Sequence, residues 1–322
     1  MHDAFHCDIT EAAAFATSLA GASCPGCGDD RLTIVYGQAA QPSLGAALFS
    51  DARAAVKAPW SEIDLAFCQG CGATHNLHFE PSQEAANTIE VAPNGRIRLD
   101  RLKNAPRFLA ALKRQVETSG KRAALRFEAQ DASDVFEAGA FEQIQADRCT
   151  YFTPGALART LRAAGLEVTA LEATAEGLLH ATATPKRSAR AAATFPIEEP
   201  VEETKTLVSA FAQRAAARAA AWRAELLAAS AGPVALWGAD ARSVAFASAA
   251  NLKRVRPHVV DADASRQAAY LAGFETPILA PSALAELAPA LVVAMDKADA
   301  AAARAALKAA RVKTKLLTLD AH

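Results

Sequence analysis

Leu65-Ala-Phe-Cys68-Gln-Gly-Cys71-Gly72, read together with Cys24-Pro-Gly-Cys27-Gly28, is the stretch that organises this chain. Two Cys-x-x-Cys pairs can supply four thiolates to one tetrahedral zinc, and the repeat of the whole pattern makes the signal strong. Glycine follows the second cysteine of each pair, where a knuckle needs a turn that lets amides face the sulfurs. Cys24, Cys27, Cys68 and Cys71 are therefore expected to close a structural zinc site that folds an N-terminal domain over residues 1–82. A closed four-thiolate shell leaves no open coordination position, so the metal accounts for stability and not for activity.

Paired disulfides or plain buried thiols are the competing account of these cysteines. The N-terminus has no basic start, and no apolar run is long enough to cross a bilayer, so a cytoplasmic setting is expected. Reducing conditions there favour metal over disulfide. His75 and His78 lie just beyond the second knuckle, but four thiolates already complete the shell, so both are expected to be ordinary surface or packing residues. Cys7 and Cys149 have no partner at knuckle spacing and no catalytic signature around them.

A chain of 322 residues with 52% hydrophobic content is long enough for two or three small domains. Its formal charge of -1 offers no global attraction to nucleic acid or to an anionic membrane, and neither is expected as a partner. Within the zinc module, Arg31 to Tyr36 and Ile63 to Phe67 read as short strands that place the knuckles at turns.

Residues 83–186 read as a reduced αβ domain. Asn94-Gly95 separates Thr88 to Val91 from Arg96 to Leu99 as a hairpin would, and Pro106 to Glu117 reads as a helix. Ala123 to Phe127 follows as a strand, Pro154 to Ala164 as a helix, and Leu166 to Ala173 with Gly177 to Ala183 as a closing strand pair. Residues 187–230 combine a linker with a long helix. Pro185 to Thr204, with its prolines and an acidic cluster at Glu198, Glu199, Glu202 and Glu203, reads as linker, and the helix runs from about Thr206 to Ser230.

Residues 231–322 alternate strand and helix: Pro233 to Trp237, Ala241 to Ala250, His258 to Val260, Leu291 to Met295, Ala298 to Ala309 and Lys313 to Leu319. That rhythm belongs to a parallel, Rossmann-like sheet. Its first strand runs into Gly238-Ala-Asp240-Ala-Arg242-Ser243, and Asp261 ends the second, about where an acidic residue would meet a ribose. The glycine fingerprint is incomplete, because Asp240 and Arg242 occupy the loop. Gly238, Asp240, Arg242 and Asp261 are the candidate ligand-binding residues, with solvated loop residues as the alternative account. The fold class is thus α/β: a small zinc-binding N-terminal domain, a reduced central αβ domain and a C-terminal Rossmann-like parallel αβ domain.

Several of these segments together resemble the sugar C-methyltransferase family. Cys24-Pro-Gly-Cys27-Gly, Gly37-Gln-Ala-Ala-Gln-Pro-Ser-Leu and Leu65-Ala-Phe-Cys68-Gln-Gly-Cys71-Gly are similar to its zinc-binding domain. Arg126-Phe127-Glu128, Ala140-Phe141-Glu and Cys149-Thr-Tyr-Phe-Thr-Pro-Gly-Ala-Leu157 resemble the second half of its methyltransferase domain. Ala235-Leu-Trp-Gly238-Ala, Val259-Val-Asp261 and Ile278-Leu-Ala-Pro281 resemble its Rossmann-like final domain.

Two departures shape the functional expectation. The family's S-adenosylmethionine-binding half, with its Gly-x-Gly loop, has no counterpart between Glu80 and Arg122, so that cofactor is not expected. The family's Tyr-x-Glu-His acid-base sequence is matched here by Gln145-Ala146-Asp147-Arg148, of which Asp147 alone keeps a carboxylate. Asp147-Arg148 is expected to be an exposed polar pair. The resemblance then implies a degenerate, non-catalytic relative that binds a partner protein or a nucleotide-sugar-like ligand in a cytoplasmic biosynthetic pathway. The alternative is a methyltransferase or other transferase completed by a partner subunit.

Overall fold

The structure, a computed structural model, describes residues 9–10, 22–80, 91–119, 123–187, 193–250 and 256–319. Helices and strands are mixed, and the strands gather into an antiparallel sheet, a mixed sheet, a parallel sheet and a short ribbon. The elements before the central region are β1 (Ile9–Thr10), β2 (Leu32–Pro42), β3 (Leu48–Phe49), α1 (Ala52–Val56), β4 (Trp60–Cys68) and β5 (Thr74–Asn76).

The β2 and β4 strands pair antiparallel with Leu32 opposite Cys68, which sets one knuckle at the start of β2 and the other at the end of β4. Strand β2 runs past the expected end at Tyr36 as far as Pro42, through two register shifts. The reason is a buried amide that pairs with distant backbone. Gln41 donates to the Ile144 carbonyl at 2.9 Å and accepts from the Ala146 amide at 2.7 Å, so its polar groups are satisfied where a hydrophobic pattern predicts none.

The central elements are β6 (Ile97–Arg98), α2 (Ala105–Thr118), β7 (Leu125–Gln130), α3 (Ser133–Ala138), β8 (Thr150–Tyr151), α4 (Pro154–Ala163), β9 (Leu166–Ala173) and β10 (Leu178–Pro185). Strands β6, β7, β10 and β9 form a sheet in that order, with Phe127, Leu179, Ala181 and Ala183 buried. The expected hairpin at Asn94-Gly95 is present as an antiparallel bridge between Val91 and Ile97, with Gly95 at φ +75 turning the chain. Thr88 to Glu90 lie outside the described residues. Strand β8 leaves the central sheet and pairs instead with β5, adding a fifth strand to the N-terminal sheet.

Next come α5 (Val201–Ser209), α6 (Phe211–Ala228), β11 (Val234–Trp237), α7 (Ala241–Ala249), β12 (His258–Val260), β13 (Tyr270–Leu271), α8 (Leu284–Leu287), β14 (Leu291–Ala294), α9 (Lys297–Ala310) and β15 (Lys315–Thr318). The expected single helix from Thr206 to Ser230 is two helices meeting at Ala210. The break is held by Arg214, whose guanidinium donates to the Leu207 carbonyl at 2.7 Å and to the Phe136 carbonyl at 2.9 Å. The stretch read as linker narrows correspondingly, because β10 ends at Pro185 and α5 begins at Val201. Two of its acidic residues are engaged: Glu198 pairs with Arg162 at 2.6 Å, and Glu199 accepts from the Gly155 amide at 2.9 Å.

The last sheet is parallel throughout, in the order β12, β11, β14, β15. Its two central strands, Val234-Ala-Leu-Trp and Leu291-Val-Val-Ala, are short apolar runs buried along their whole length as strands covered on both faces must be, while the edge strand β15 is only partly buried. The ribbon of β13 against β3 pairs Tyr270 with Phe49 and Leu271 with Leu48, tying this region to the N-terminal one.

An aromatic core links the layers. Phe211 lies 5.1 Å from Tyr36 and 5.3 Å from Phe136, between rings, while Phe246 stacks on Phe141 at 6.0 Å and meets Trp222 edge-on at 5.3 Å. These geometries add specificity to the area they bury. Phe246→Ala is expected to cost about 3–5 kcal/mol of stability, as large core truncations do. Denaturant unfolding monitored by tryptophan emission checks it, with Trp222 losing its packed neighbour in the folded variant.

Candidate metal centre and strand-end site

Each knuckle is built the same way. The Cys24 amide donates to the Asp29 carbonyl at 2.7 Å and the Gly28 amide to the Cys24 carbonyl at 2.9 Å. In the second knuckle the Cys68 amide reaches the Ala73 carbonyl at 2.9 Å and the Gly72 amide the Cys68 carbonyl at 2.9 Å. Gly28 and Gly72 take φ of +85 and +76, the left-handed conformation that makes glycine the suitable residue after each pair. At Gly72 there is a second reason, since an added Cβ would meet Arg159 Nη2 at 2.6 Å.

These turns bring four sulfurs together. Cys24 Sγ lies 3.7 Å from Cys71 Sγ and Cys27 Sγ lies 3.7 Å from Cys68 Sγ, with all four within 4.8 Å of one another. Tetrahedral metal-sulfur bonds of about 2.3 Å place sulfurs about 3.8 Å apart, so the set fits one metal ion. Disulfide bonding is excluded, because bonded sulfurs sit about 2.05 Å apart. Contact with Cys24 leads in lowering the Cys27 thiol and in raising that of Cys71, where burial adds. Such sharing of protons among crowded thiols is what a divalent cation replaces when all four become thiolates.

Of the surface and packing roles expected for His75, the structure gives it the buried one, against a cysteine sulfur. It is fully buried, with Nε2 3.0 Å from Cys24 Sγ and Nδ1 3.0 Å from Thr150 Oγ1, and burial pushes its pKa down to about 4. No local pattern in Thr74-His75-Asn76 announces this, because Thr150 arrives from seventy-five residues away. His78 does sit at the surface, paired with Asp64 at 2.9 Å. Arg159 donates to the Cys71 carbonyl at 2.8 Å and to the Glu199 carbonyl at 2.6 Å. Glu199 in turn accepts from Thr153 Oγ1 at 2.5 Å and the Gly155 amide at 2.9 Å. Cys149 is buried, and desolvation raises its thiol to about 11, against any nucleophilic role; Cys7 lies outside the described residues.

Gln145-Ala146-Asp147-Arg148 is not an exposed polar stretch either. Arg148 is 5% exposed, lies over the Tyr151 ring at 5.3 Å and donates to Gln130 Oε1 at 2.5 Å. The Gln145 backbone N–H donates to Tyr151 Oη at 2.7 Å. The Arg148 guanidinium is buried because a carboxylate is buried with it: Asp100, fully enclosed, lies 3.9 Å away and also holds Arg98 at 2.9 Å. Asp147 stays half-buried, 3.6 Å from Arg101.

Gly238, Asp240, Arg242 and Asp261 come together at the carboxyl ends of β11 and β12. Asp240 caps α7 by accepting from the Ser243 amide at 3.0 Å. Asp261 Oδ2 accepts from the Ala239 amide at 2.7 Å, and Arg266 donates to the Ala239 carbonyl at 2.5 Å. Arg242 donates to the Met295 carbonyl at 3.1 Å, lies 3.7 Å from Asp296 and, with the Gln143 side-chain amide turned so that its oxygen faces the guanidinium, donates to that oxygen at 2.6 Å. Asp299 was missed by the strand-end argument, since it belongs to α9, yet its carboxylate would lie 3.0 Å from a Cβ added at Gly238. Gly238 itself has φ +111.

Comparison of the chain with protein-family profiles finds no matching family, and comparison with curated protein sequences finds no match. No helix among the described residues is long and apolar enough to cross a membrane.

Two outcomes are expected from this chemistry. Metal analysis of the purified chain should find about one equivalent of divalent metal, and Cys68→Ser should lose it and unfold the knuckle region. A structural metal contributes about 10–16 kcal/mol, comparable with a whole domain's stability. The second concerns Asp299, raised to about 6 by partial burial and by the nearby carboxylates of Asp296, Asp240 and Asp261, against Arg242. A carboxyl raised in the folded state adds stability below its unfolded value and loses it as pH climbs through about 6. Asp299→Asn should therefore gain on the order of 1 kcal/mol over the parent at pH 7, after allowance for solvent screening, and no such gain at pH 4. Urea unfolding at the two pH values measures the difference.

Proposed function

We propose that this chain is a zinc-stapled, non-catalytic relative of the sugar C-methyltransferases that binds a nucleotide-sugar-like ligand at the carboxyl ends of β11 and β12, in a cytoplasmic biosynthetic setting. The convergence of Gly238, Asp240, Arg242 and Asp261 at one end of a parallel sheet carries the reading, since ligands of such sheets settle beyond the strand ends. Arg242 would meet a phosphate and Asp261 a ribose hydroxyl. Zinc is the metal that four thiolates at tetrahedral spacing suit best, and in a closed shell its chemistry is structural.

The non-catalytic part of the reading rests on what replaces the acid-base positions. Gln145 and Arg148 are neither acids nor bases near neutral pH; the Arg148 guanidinium lies over the Tyr151 ring, and Gln145 meets the Tyr151 hydroxyl through its backbone amide. A partner protein is the second reading. It is favoured by the Ala239 amide, already taken by the Asp261 carboxylate, and by four aspartates against two arginines around Gly238, a balance that resists a diphosphate.

Calorimetric titration of the whole chain with uridine and thymidine diphosphate sugars separates these readings. Binding that Arg242→Ala weakens by about 1–3 kcal/mol, with the fold intact, is the expected result. Silence from every sugar nucleotide would favour the protein partner. S-adenosylmethionine is expected to give no saturable binding at micromolar concentration, and saturation there would restore the reading of a methyltransferase completed by a partner subunit.

A further inference from the structure

We propose that His75 is a positioning residue of the metal centre: its Nε2–H bonds the Cys24 thiolate and strengthens metal binding, while its Nδ1 locks the centre to β8. The inference rests on the four-thiolate reading of the site. The ring lies between two partners of opposite demand, Cys24 Sγ at 3.0 Å and Thr150 Oγ1 at 3.0 Å. A metal-bound thiolate has lone pairs and no proton, so the nitrogen facing it must donate. Nδ1 is then the acceptor, and the Thr150 hydroxyl is its donor. The tautomer follows from the partners.

Three observations make this contact part of the centre. Cys24 Sγ already accepts from the Gly26 and Cys27 amides, each at 3.3 Å, so His75 adds a third donor to one sulfur. Spreading the negative charge of a thiolate over donors is what stabilises a shell of four anions around one dication. The ring also packs flush on the first knuckle, since a Cβ added at Gly26 would stand 3.0 Å from His75 Cε1. Finally, His75 and Thr150 are direct cross-strand partners in the β5–β8 pair, so the backbone holds the hydroxyl opposite the ring.

The test uses the full chain, with zinc competed by a chromophoric chelator and with cobalt as spectroscopic probe. His75→Phe, which keeps ring volume and removes the donor, should raise the zinc Kd by about 10–100-fold, the usual effect of losing an outer-layer partner. It should also move the thiolate-to-cobalt charge-transfer band to lower energy, a change that a packing role would not produce. His75→Gln, which can place an N–H where Nε2 stood, should recover most of both. Thr150→Val should shift both in the direction of His75→Phe and by less.

A folded His75→Phe with parental zinc Kd and band position would overturn the proposal. If that variant fails to fold, Thr150→Val decides, and parental values there overturn it equally. A parental chain that takes up no zinc overturns the metal centre itself, an outcome distinct from an unchanged His75 variant.

Discussion

Four thiol sulfurs within 4.8 Å of one another are a constraint before they are a site. Crowded, partly buried thiols repel once ionised and can be ionised together only beside a positive charge, so the arrangement calls for a cation. The rest of the N-terminal region is arranged around that demand. Leu32 pairs with Cys68 so that β2 and β4 present their knuckles side by side, and left-handed Gly28 and Gly72 return the chain into the sheet. From there the constraint passes outward through His75 to Thr150, and through the Cys71 carbonyl to Arg159 and Glu199. Strand β8 and helices α4 and α5 are thereby referred to the same centre.

A second set of buried charges organises the region between the sheets. Asp100 and Arg148 are enclosed together, and Glu142 pairs with Arg218 at 2.9 Å, with burial raising the Glu142 carboxyl. Such pairs seldom add net stability, because desolvation offsets their attraction, but losing one partner leaves a buried charge that is costly. They therefore fix how α6, the Phe141–Gln143 turn and the C-terminal strands sit. Arg218 makes the point directly, since it also donates to the Leu319 carbonyl at 2.5 Å. Gln145 and Arg148 are buried within this same internal scaffold.

The strand-end site shows the same economy of polar groups. The Ala239 amide and carbonyl are both taken, by Asp261 and Arg266, and Arg242 spans from α7 to the end of β14. A ligand arriving there must compete with contacts already made, which favours a polar molecule that can replace them in kind.

Much of this was legible in the chain. The paired cysteines, each with its glycine, specified the four-cysteine cluster by spacing, and short apolar runs alternating with alanine-rich helices specified the parallel sheet, because both patterns are local. Asp240 and Asp261 could be placed at strand ends for the same reason. The tertiary structure decided what depends on residues far apart. His75 faces the Cys24 sulfur with Thr150 paired to it across two strands, and Arg148 was buried because Asp100 is enclosed beside it. Gln41 lengthened β2 because Ile144 and Ala146 offer their backbone to it, and Arg214 ended α5 by taking the Leu207 carbonyl. A polar side chain carries no sign in sequence of which distant partner will satisfy it; that is settled when folding removes it from water and a partner must be found.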